Sequence, residues 1–111
     1  MDIQIKKEIN ASVVTITGRL DAVTAPDYEK QFDALMADGE ARFVIDFEQL
    51  EYISSAGLRI LLATSKRLKG KGGQICFANI SGMVMEVFTI SGFGNIFQMH
   101  NSVAEALAVI A

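Results

Sequence analysis

The sequence predicts an α/β fold: a mixed, mostly parallel β-sheet of about five strands with about four helices. Three observations carry this. Apolar and β-branched residues flank Asn10-Ala11 near the start, as in a hairpin. Two short, nearly continuous apolar runs, Phe43–Phe47 and Gln74–Ala78, have the length of buried strands. Segments of helical spacing lie between and after them, the alternation that builds a parallel sheet. With 111 residues, half of them apolar and 21% charged, the chain is expected to form one ordered domain over residues 1–111.

The elements follow in order. Ile3, Ile5 and Ile9 alternate loosely with polar residues, which suggests a partly exposed first strand. Val13–Thr17 forms a second strand that ends at Gly18. Thr24 reads as the N-cap of a first helix, with Pro26 in its first turn, Asp27 at its positive dipole end and Gly39 as its stop. After the central strand Phe43–Phe47, a second helix starts at Ser54-Ser55 and runs to Gly70. Gln74–Ala78 is the next buried strand. A third helix spans about Ser81 to Ser91 and is stopped by Gly92. Ile96–Met99 reads as a short edge strand, and Val103–Ile110 as a final helix capped by Ser102.

Charge is unevenly divided. Residues 1–51 carry 5 basic and 11 acidic side chains, whereas residues 52–111 carry 5 basic and 2 acidic. The five later bases, Arg59, Lys66, Arg67, Lys69 and Lys71, crowd around the second helix, as a solvated face or as a docking surface for an acidic partner. The net charge of −3 and the absence of tryptophan argue against direct nucleic-acid binding. Apolar stretches fall short of the roughly 18 to 20 residues of a membrane span. The single cysteine, Cys76, fits a reducing, cytoplasmic setting and reads as a core residue. One Cys and one His do not make a usual zinc site, and Gly70–Gly73 matches no phosphate- or dinucleotide-binding spacing, so neither metal nor cofactor is expected. His100, the sole histidine, is poorly placed to activate a serine, so no catalytic residue is assigned.

The segment Glu51–Arg59 is the most informative. At 100° per residue, Leu58, Leu61, Leu62, Ser65 and Leu68 share one helix face, which is the expected core side. Ser55, Arg59 and Lys66 lie together on the outward side, continued by Ala56, Ile60 and Ala63. Small and apolar residues mixed with bases suit a protein interface. Ser55 sits at or beside the N-cap, with Ser54 as the competing cap and competing phosphoacceptor. A phosphate on Ser55 would meet free backbone N–H groups and the positive end of the helix, adding charge without unfolding the chain.

Ser54-Ser55-Ala56-Gly57-Leu58 after a buried strand resembles the STAS domain of the bacterial anti-sigma factor antagonist type. Thr17–Asp21 at the end of the second strand, Val44–Asp46 in the third, Asn79–Ser81 before the third helix and Gly92-Phe93 after it extend the resemblance over nearly the whole chain. The resemblance implies a STAS-type fold. It also implies phosphorylation of the serine two positions before the motif glycine Gly57, which is Ser55, by a partner kinase that is also the anti-sigma factor. Asp21 and Asp46 are implied to lie near that site. The chain departs from the common pattern at Ser54, where many members have aspartate, at Ala56, where many have Ser or Thr, and at Met83-Val84-Met85, where charges are common. Met83 and Met85 lie off the core stripe of Val84, Val87 and Phe88; both are candidate adaptable partner contacts, with filling of core gaps as the alternative for at least one.

The expectation is therefore a non-enzymatic switch. Unmodified, it docks Arg59, Ile60, Ala63 and Lys66 on an anti-sigma factor/serine kinase and frees the client; phosphorylation of Ser55 blocks docking and a serine phosphatase resets it. The alternative is an unphosphorylated STAS scaffold subunit of a lipid or solute transport assembly.

Overall fold

The computed structural model describes residues 1–110; Ala111, the last residue of the expected domain, lies outside the described residues. The elements are β1 (Asp2–Lys7), β2 (Ser12–Leu20), α1 (Ala25–Ala37), β3 (Arg42–Asp46), β4 (Leu50–Ile53), α2 (Ser55–Gly70), β5 (Gln74–Ala78), α3 (Gly82–Ser91), a 3-10 turn (Phe93–Asn95), β6 (Met99–His100) and α4 (Val103–Val109). β1 and β2 form the expected antiparallel hairpin, with Ile3 opposite Ile16 and Ile5 opposite Val14. From β2 the sheet continues in parallel through β3 and β5 to β6. β4 pairs in parallel with the far end of β2, beyond a register shift at Gly18/Arg19.

Side-chain parity divides the core between the two sheet faces. Val14, Ile16, Phe43, Ile45, Ile75 and Phe77 meet α1, α2 and α3 in the larger cluster. Val13, Val44, Cys76 and Ala78 face the other way and are covered by Ala106 and Ile110 of the α4 segment.

Several expectations are corrected. The sheet has six strands, β4 being additional to the five expected. Ile9 belongs to the β1–β2 turn and is fully exposed. β2 does not stop at Gly18, which adopts φ +96° within the strand and lets the chain shift register there. Thr24 stands at the N-cap of α1 but makes no side-chain cap; its hydroxyl donates to the Arg19 carbonyl at 2.9 Å and accepts from the Asp21 N–H at 2.9 Å. The last strand starts at Met99, because Phe97 is drawn into the core against Phe77 and Phe88. Gly92 ends α3 in the left-handed region (φ +78°), and the Ser102 hydroxyl caps α4 by accepting from the Glu105 N–H at 3.0 Å.

Candidate functional site

The site is built where the ends of β2 and β4 meet the start of α2. Leu20 pairs with Ile53, and the Ser54 N–H donates to the Leu20 carbonyl at 3.0 Å. Ser54 is the N-cap: its backbone is extended and its hydroxyl accepts from the Gly57 N–H at 3.3 Å. Ser55 is the first helical residue, and it is exposed. Gly57 is required by close approach, since a Cβ there would lie 2.4 Å from the Leu20 carbonyl oxygen and 2.9 Å from Ile53 Cγ1. The motif glycine thus lets the helix start rest on the last carbonyl of β2.

Asp21 follows directly on that carbonyl and belongs to the same corner. Its carboxylate accepts from the Val23 and Thr24 N–H groups at 3.0 and 3.1 Å, and Arg19 Nε lies 3.6 Å away. The Thr24 backbone N–H, with those of Val23 and the Thr24 and Arg19 side chains, holds the carboxyl below its usual range despite partial desolvation. The Arg19 guanidinium in turn stacks 4.2 Å above the Tyr52 ring centroid.

Asp46 does not join this corner. It faces Thr15 in the β2–β3 register, five residues before Leu20, which is about 16 Å along a strand. It also shares parity with Val44 and so lies on the α4 side, where it lines a groove with Val103. There its carboxylate accepts from the Asn79 side-chain amide at 2.9 Å, the Glu48 N–H at 3.0 Å and the Thr15 hydroxyl at 3.4 Å. The implied proximity of Asp46 to the serines is corrected on that ground.

Beside Ser55, α1 and α2 enclose a shallow, mainly apolar groove of about 370 Å³. Ala56, Arg59, Ile60 and Ala63 of α2 line it, as expected for an outward face. Ala25, Pro26 and Glu29 of α1 line it too, with Ala22 from the turn before that helix. Helical spacing within one segment gave no sign of this second wall, which depends on how α1 and α2 pack. Lys66 is exposed farther along α2. Arg67, by contrast, is engaged: it reaches Glu29 at 3.3 Å and Asp33 at 2.7 Å across the helix seam. Met83 is exposed, whereas Met85 is half-buried and packs against the main core, the gap-filling alternative. Among the described residues no group of His, Cys, Asp and Glu is arranged to hold a metal ion, and no helix is long and apolar enough to cross a membrane.

A family model described as the STAS domain matches residues 1–106. BtrV of Bordetella bronchiseptica, described as a candidate anti-sigma factor antagonist, is 38% identical over 96 residues, which cover 86% of this chain and 83% of BtrV. The anti-sigma-B factor antagonist of Bacillus subtilis is 27% identical over 99 residues, covering 89% and 90% of the two chains. A solved anti-sigma factor antagonist from Mycobacterium paratuberculosis superimposes with a TM-score of 0.88 at 29% identity, over 98% of this chain and 92% of that one.

Proposed function

The chain belongs to the STAS domain family, and on that premise we propose that it acts as an anti-sigma factor antagonist in a cytoplasmic partner switch. In its unmodified form the face bearing Ser55, Arg59, Ile60, Ala63 and Lys66, with Met83 as an outlying contact, docks on an anti-sigma factor that is also a serine kinase and frees its client. The kinase transfers the γ-phosphoryl group of ATP to the Ser55 oxygen, breaking its bond to the β-phosphate oxygen and releasing ADP, while the hydroxyl proton passes to a base of the kinase. The added charge and bulk at the centre of the face then release the partner. A serine phosphatase restores the hydroxyl with water as nucleophile.

The observation that carries this reading is the division of labour between the two serines. Ser54 is committed to capping α2, while Ser55 stands exposed beside a groove lined by small and apolar residues. Of the two hydroxyls, that of Ser55 is open to modification without loss of the cap.

Phosphopeptide mapping of the protein from its native cells, with and without phosphatase treatment, tests it. The expected result is a phosphatase-sensitive population on Ser55, with Ser55→Asp binding the partner captured by unmodified bait about tenfold or more weakly than wild type. Modification confined to Ser54 would overturn the assignment. A chain unmodified under every growth condition would favour the constitutive transport-assembly scaffold instead.

A further inference from the structure

We propose that Arg59 is the internal partner of a phosphate on Ser55, so that modification also withdraws this arginine from the docking face. The inference rests on the reading of Ser55 as the modified residue and adds what happens to the surface afterwards.

Ser55 and Arg59 are one turn apart on α2, a spacing that brings their Cβ atoms to about 5–6 Å. Long helical side chains lean back toward the preceding turn, which places position 55 within reach of the Arg59 side chain. Arg59 also lines the groove together with Ala56, the residue directly after Ser55. The pair also has the favourable polarity, with the anion N-terminal to the cation and near the positive end of the helix.

Arg59 is available for this role. No carboxylate among the described residues lies within 4.0 Å of its guanidinium. Glu29, the acidic residue of the same groove, is already taken by Arg67, and Asp21 by Arg19. The first turn of α2 carries no acidic residue to repel a phosphate. The next base on that helix, Lys66, stands eleven residues beyond Ser55, about 16 Å along the axis. Guanidinium and phosphate match as a two-pronged pair, which an ammonium or an amide does not reproduce.

The test uses full-length protein with phosphoserine installed at position 55 during synthesis, in wild-type, Arg59→Gln, Arg59→Lys and Arg19→Gln backgrounds. The second ionisation of the phosphate is followed by phosphorus NMR. The wild-type midpoint is expected about half a pH unit below that of Arg59→Gln, with Arg59→Lys between them and the gap narrowing as salt is raised. Arg19→Gln is expected to titrate as wild type. Equal midpoints in wild type and Arg59→Gln would overturn the inference, as would a shift seen only with Arg19→Gln. Because the phosphate is built in, the outcome is independent of whether a kinase modifies Ser55 in the cell, which the peptide mapping reads separately.

Discussion

Two neighbouring hydroxyls of the same chemistry have different physical tasks here. The Ser54 oxygen satisfies a backbone N–H that the helix leaves without an internal partner, whereas Ser55 is exposed at the first helical position. Ser54→Ala is therefore expected to cost about 1 kcal/mol of folding stability, and Ser55→Ala to stay within about 0.5 kcal/mol of wild type. Urea unfolding of the two variants checks this, and equal losses would contradict the assignment of the cap. Both serines and Gly57 were legible in the sequence, because capping chemistry and a motif glycine act locally. Which serine caps was not, since that depends on the extended backbone of Ser54, fixed by its pairing to Leu20. The implied placement of Asp46 beside the serines differs for a related reason: its face is set by strand parity and its depth by the register with Thr15.

Between α1 and α2 the packing is pinned by a buried polar contact rather than by apolar surface alone. Tyr28 Oη and Thr64 Oγ1 lie 3.1 Å apart, both residues fully buried, and the threonine also faces the Ile60 carbonyl at 2.9 Å. Burial drives the phenol far above its usual ionisation range, so it remains a protonated donor. Thr64→Val should then leave that donor unpaired and cost about 1–3 kcal/mol, most of it recovered when Tyr28→Phe is added to the same chain. A double-mutant cycle by chemical unfolding measures the recovery. Tyr28 is legible in the sequence from its helical spacing with Phe32 and Leu35, whereas Thr64 is not, since the apolar stripe of α2 points to Leu62 instead. Leu62 is only partly buried. β4 leaves only a weak trace in the sequence, because it has four residues with Glu51 among them and its single partner strand lies about thirty residues earlier.

The two sheet faces are unequally protected. Three helices cover one, and the seven-residue α4 with the following Ile110 covers the other. Cys76 lies under that thinner cover, and burial raises its thiol to about 11. At pH 8 the native protein should resist alkylation by iodoacetamide, with modification appearing only as the chain unfolds in urea. Labelling well before the unfolding transition, read by mass spectrometry, would mean that α4 opens independently of the rest. Their nearly continuous apolar character foretells both buried strands, yet does not reveal which face each helix shields, since that is a property of the crossovers.

The side-chain amide of Asn10, in the β1–β2 turn, donates to the carbonyls of Leu107 at 2.7 Å and Ile110 at 3.3 Å. The hairpin is thus fastened by residues 97 and 100 positions later in the chain. On the ribosome the hairpin can form early, but its clasp must wait until residue 110 has cleared the exit tunnel. Until then Val44, Cys76 and Ala78 lack their helical cover, so this face is the later of the two to be closed during synthesis.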